Sequence, residues 1–181
     1  MVITIIVILA IICLGYFIAT QRSLVSLDEM CKNALSQIEV QLNSRWDAIL
    51  ALAKTASQYA KHESETLIEV IQRRRGEKMD DPATVNAQMG ELSQVMGRLI
   101  AIGEAYPDLK ANENFRELQV QLEGTENRIN VERNNFNKAV QTYNVAIRKF
   151  PSNLLAGMFG FEKMDKFEAE AGAEKAPQVK F

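Results

Sequence analysis

His62 is the only histidine, Cys13 and Cys31 are the only cysteines, and Arg73, Arg74 and Arg75 form the densest run of like charge. A nucleophilic site would need His62 to take a proton from a hydroxyl or thiol while an acid orients its ring. No spacing brings such groups to it, and among Lys61, Glu63 and Ser64 it reads as a polar surface or helix-end residue. One histidine and two separated cysteines cannot close a nitrogen–sulfur metal site. The Glu-x-x-His pair of di-iron bundles does not occur. Gly157-Met158-Phe159-Gly160 lacks the lysine, hydroxyl and following helix of a phosphate loop. The three arginines can touch phosphate. Ahead of Gly76, however, they read as compensation for the negative end of a helix, at about 0.3–1 kcal/mol each. Nucleic-acid binding asks for a broad basic stripe with aromatics beside it, and the net charge here is −2. These residues predict no enzyme, no cofactor, no metal and no nucleic-acid partner. One polar stretch is unusual. Asn127 to Asn137 (NRINVERNNFN) concentrates asparagine, a mediocre helix former, in what must be a helix. It is either a solvated face or a polar contact surface against a partner helix or a neighbouring copy.

The elements that would position these groups are helical. Glycine and proline are sparse, at 9 and 4 residues, too few for the turns of an all-β chain. From Val2 to Thr20 no residue is charged, and at about 1.5 Å per residue that run is about 28 Å long, close to the hydrocarbon thickness of a bilayer. Tyr16 and Arg22 suit its interfacial end. A secretory signal would start with basic residues and have a shorter apolar core. A lipidation signal would want a small residue before Cys13, where Ile12 stands. A buried core helix would rarely be apolar all round. The sequence therefore predicts a single-pass anchor over residues 1–25. Arg22 and Lys32 on its C-terminal side place the rest of the chain in the cytoplasm by the positive-inside rule.

Beyond the anchor, Cys31, Leu35, Ile38, Leu42, Ile49, Leu52, Ala56 and Tyr59 recur at alternating steps of three and four, with Arg45 as one charged layer in the seam. The polar patch Lys61 to Ser64 suggests a break and a second helix. Gly76 to Pro82 is a connector, with Asp81 as N-cap of a third helix that Pro107 ends. A long fourth helix follows Lys110 and runs to Phe150, where Pro151 stops it. The expected fold is all-α: a transmembrane helix followed by an antiparallel up-and-down four-helix bundle over residues 26–161, with long first and last helices. A disordered charged tail completes the chain at 162–181. If helices one and four run antiparallel, counting from the membrane brings Arg45 to the height of Glu126. An ion pair there would leave either partner costly to remove, and Arg45→Met is expected to destabilise strongly. The residues after Pro151 then arrive at the headgroups. Leu154, Phe159 and Phe161 are expected either to close the base of the core or to form an interfacial foot or subunit contact.

Several ordered motifs resemble the LemA family of bacterial membrane-anchored proteins: QIEVQL ahead of Arg45-Trp46-Asp47, YAKHESETL, YPDLKANENF, and above all LEGTENRINVERNNFNKAVQTYNVAIRKFPSNLLAGMFGF. The C-terminal APQVKF fits as well. The family tends to place a proline and an asparagine where Leu50 and Ala51 stand, so a kink there is not expected in this chain. The resemblance implies a membrane anchor, a four-helix bundle and no known enzymatic activity. The function expected is a non-enzymatic scaffold or adaptor at the bacterial inner membrane. Its expected partners are the lipid bilayer, further copies of itself and an unidentified membrane protein. The alternative is an accessory or signalling subunit of a channel or protease.

Overall fold

The computed structural model describes residues 2–74 and 76–168, and among these every regular element is helical. The first, α1, runs from Val2–Ala56 without interruption. Span and body are thus one rod, about 82 Å long at about 1.5 Å per residue. No proline and no capping turn divides them, so the helix passes straight through the expected boundary at residue 25. Before Thr20 no residue of α1 is buried, and this apolar stretch, with a mean hydropathy of 3.0, is long enough to cross a membrane. From Leu24 onward one stripe turns inward through Cys31, Ile38, Leu42, Trp46, Ile49, Leu52 and Ala56.

The helix ends at Ala56, and Ser57 to Ala60 make a turn in which Ala60 N–H donates to the Ala56 carbonyl. The break therefore falls just before the polar patch expected to cause it. Ala60 is buried, and Lys61 to Ser64 become the first turn of α2 (Lys61–Arg74), where Glu63 suits the positive helix end. Gly76 follows at φ +82°, a left-handed conformation that a Cβ disfavours. Arg74 is tied to Glu77 at 2.9 Å and to Glu91 of the next helix at 2.7 Å. That helix, α3 (Pro82–Ala105), starts as predicted, with Asp81 Oδ1 accepting the Thr84 N–H at 2.8 Å. The bond holds the Asp81 carboxyl below its ordinary pKa. After Tyr106 comes a single turn, α4 (Pro107–Ala111), which buries Leu109. Asn112 then caps α5 (Glu113–Ala146) through the Phe115 N–H. Gly103 makes room for this junction: a Cβ there would meet the Phe115 ring at 2.9 Å.

Two contacts fix how α5 lies along α1. Arg45 meets Glu126, and Tyr143 shares its surroundings with Cys31 and Asp28, so rising numbers on one helix meet falling numbers on the other. Helix α5 stops at Ala146, earlier than expected, and Phe150 is 81% exposed instead of closing the seam. A further short helix, α6 (Ser152–Phe159), ends on Gly160 at φ +71°. Residues 161–168 then run, outside any helix, as a strap against α5. This departs from the disordered tail expected from residue 162; the remainder of that tail, 169–181, lies outside the described residues.

Candidate functional site: a polar layer, a foot and a strap

Halfway up the body the seam between α1, α3 and α5 turns polar. Arg45 is 95% buried as a residue, at 5% exposure, and its Nη2 donates to Glu126 Oε2 at 3.1 Å. The two sides of the pair are unequal: the guanidinium is shielded while more than half of the Glu126 side chain faces solvent. Among the described residues Arg45 Nε has no hydrogen-bond partner, which leaves the arginine incompletely satisfied. One residue on, Trp46 Nε1 donates to Gln88 Oε1 at 3.2 Å, both side chains fully inside. Thr125 folds its hydroxyl back to the Leu122 carbonyl. The layer fixes register, because sliding α1 past α5 by one turn would strand a buried charge. It contains no nucleophile with an adjacent base. Among the described residues no three His, Cys, Asp or Glu side chains converge as metal ligands. His62 is exposed on the first turn of α2.

Helix α6 lies against the apolar half of α1. The Phe159 ring packs on Phe17, with centroids 5.5 Å apart, and an apolar groove of about 350 Å³ runs between Ile12, Cys13, Tyr16 and Leu154, Leu155. Only Ala156 of this helix is buried. Leu154 and Met158 are 60% and 73% exposed, and Phe159 is nearly half exposed. Of the three residues expected at the foot, then, Leu154 and Phe159 do not close the core. Phe161 differs from them: it turns inward and meets Tyr143 edge-on, centroids 6.5 Å apart.

Beyond Phe161 the strap is held by side chains of α5. Tyr143 donates its hydroxyl to the Glu162 carbonyl at 2.9 Å, and burial, with Asp28 adding, keeps that phenol above its usual pKa. Asn144 accepts the Met164 N–H and donates to the Met164 carbonyl, at 3.0 and 2.8 Å. Asn137 does the same for Phe167, at 2.8 and 3.0 Å. The Phe167 ring is buried between Phe136, edge-on at 5.2 Å, and the Arg133 guanidinium, 5.0 Å above its centroid. The charge-rich composition hid this strap. Glu162, Lys163, Asp165, Lys166 and Glu168 are all exposed, and apart from the Phe161 and Phe167 rings the strap is held largely by hydrogen bonds to its backbone. The signal that could have found it was Asn137 at the end of the asparagine stretch, with Asn144 seven residues on and Phe167.

The most similar relatives include magnetosome protein MamQ of Magnetospirillum gryphiswaldense, 33% identical over 93 residues, which is 50% of this chain and 34% of that protein. Magnetosome protein MamQ 2 of Paramagnetospirillum magneticum is 32% identical over 85 residues, covering 47% of this chain and 31% of its own. The match thus spans about a third of the length of these relatives. The LemA family description matches residues 34–181. That is the greater part of the sequence, including the polar layer, the foot and the strap, and the chain belongs to the LemA family.

Proposed function

We propose that this chain is a membrane-anchored, non-enzymatic scaffold or adaptor that associates with copies of itself. In this reading its helices form an antiparallel up-and-down four-helix bundle, raised on one span of a bacterial inner membrane and facing the cytoplasm. The observation that carries it is α6: a helix with exposed Leu154 and Met158, laid against the apolar half of α1 at Phe17. Such surface is costly in water and suited to an acyl boundary or a neighbouring subunit. The orientation rests on Arg22 and Lys32. The names of the relatives place those proteins with magnetosomes; because the match covers a third of their length, no activity is carried over from them.

The test is the size and topology of the full-length chain. Light scattering after gel filtration in mild detergent is expected to give a multiple of the 20.4 kDa protomer. Protease added to intact spheroplasts is expected to leave the body undigested. A monomer that co-purifies with a channel or protease would favour an accessory subunit instead. Digestion from outside would reverse the orientation.

A further inference from the structure

Asn137 and Asn144 stand seven residues apart on α5, two turns less about 20°, and so share one face. Along the helix they are about 10.5 Å apart at about 1.5 Å per residue. Met164 and Phe167 stand three residues apart outside any helix, and three residues cover about 10 Å when extended, at about 3.3 Å per residue. The two repeats match. Each asparagine amide therefore meets one strap residue and bonds both its N–H and its C=O. A side-chain amide reading backbone in this way is indifferent to the sequence it reads. Selectivity comes from the wedge for an aromatic ring between Phe136 and Arg133. The ladder is thus a binding site for an extended peptide, and the strap is its occupant in this structure.

We propose that the occupant is exchanged between copies: the strap of one protomer docks on the asparagine ladder of a second, and reciprocally. The exchange rests on the self-association proposed above and names the surface that would carry it. One observation favours a second copy over an unrelated peptide, and two show how the strap can leave its own ladder. The strap already holds the ring and spacing that the ladder accepts. Among the described residues its last backbone–backbone hydrogen bond is from Phe161 N–H to the Ala156 carbonyl; after that, α5 side chains hold it. It leaves α6 through Gly160, left-handed at φ +71° with nothing near its Cβ direction, so a change at one residue redirects it. In a reciprocal exchange every contact is remade on the partner. The balance between closed and exchanged forms is then set by the hinge and by local concentration, which confinement to a membrane raises.

Lys166 Nζ lies 3.5 Å from Gln141 Oε1, both exposed, and this pair supplies the test. Two full-length copies are prepared in a Cys13→Ser, Cys31→Ala background, one with Gln141→Cys and one with Lys166→Cys. They are reconstituted together in phospholipid vesicles and treated with a short bis-maleimide. Exchange predicts a covalent heterodimer whose yield falls roughly tenfold when the Gln141→Cys copy also carries Asn137→Ala and Asn144→Ala. A heterodimer indifferent to those asparagines reports collision and overturns the proposal. Crosslinking confined to a chain bearing both cysteines, while light scattering still finds oligomers, also overturns it and leaves self-association standing on another surface. No heterodimer and only monomers would sink both.

Discussion

Before Thr20, α1 turns isoleucine, valine and leucine outward on every side; Ile8 is 53% exposed and nothing near it is buried. After Leu24 the same helix hides one stripe and leaves the others to solvent, so that Ile49 is wholly inside while Val40 is 58% exposed. Both halves are helical and both are rich in aliphatic residues. What separates them is periodicity: a uniform run suits a solvent that is apolar in all directions, and a stripe suits one that is not. No local signal ends the first half, since the backbone has no reason to stop at the boundary. The change of solvent is written in the side chains alone.

Trp46 gives the largest effect by which to break this contrast. It is fully buried and hydrogen-bonded to Gln88, and Trp46→Ala is expected to destabilise the body by about 3–5 kcal/mol. Ile8→Ala, in the apolar half, should leave the melting temperature of the body unchanged. Thermal unfolding followed by circular dichroism in detergent checks both. Comparable shifts for the two variants would mean that the halves are not energetically separate.

A second contrast lies within the polar layer. From sequence, either partner is costly to remove, and Arg45→Met strongly so. The burial of Arg45 against the exposure of Glu126 makes the two unequal. Glu126→Leu leaves a shielded guanidinium without the carboxylate it pairs with and is expected to cost about 3 kcal/mol. Arg45→Met leaves a carboxylate that water can reach and removes the unpartnered Nε, so its expected cost is below about 1 kcal/mol. Joining the two should recover most of the Glu126→Leu loss in a double-mutant cycle. A larger cost for Arg45→Met would put the desolvation on the wrong residue.

How far these features can be read from sequence follows from what each one depends on. The span rests on an uncharged run, the α3 start on Asp81 before Pro82, and the approach of Arg45 to Glu126 on counting residues down two opposed helices. Local chemistry and arithmetic suffice for each of these. The continuity of α1 through residue 25 was not legible, because an anchor and a body look like separate units whenever their compositions differ. By spacing, Phe150 continues the core positions Tyr143 and Ile147; the turn after Ala146 swings it outward. The strap was illegible for a different reason. Hydrophobic patterning reports side chains, and α5 holds the strap mainly by its N–H and C=O groups, which every sequence has.

Phe159 and Phe161 mark the border between the two halves of α1 most finely. They are two residues apart, on either side of the left-handed Gly160, and they face different surroundings. Phe159 leans on Phe17 within the apolar half and remains 45% exposed; Phe161 meets Tyr143, which is buried in the body beside Cys31. Phe161→Ser removes apolar contact from the body and is expected to cost about 1–2 kcal/mol, visible as a lower melting temperature. Phe159→Ser should leave that temperature where it was. Its effect should appear only where α6 meets lipid or another subunit, as weaker retention in vesicles on carbonate washing of an α1 already weakened by Leu9→Arg, or as a smaller particle in detergent. If Phe159→Ser lowered the melting temperature as much as Phe161→Ser, α6 would be part of the body and the border would lie below it. If neither variant changed any of these quantities, the segment after Pro151 would be idle, and the foot would have to be sought elsewhere.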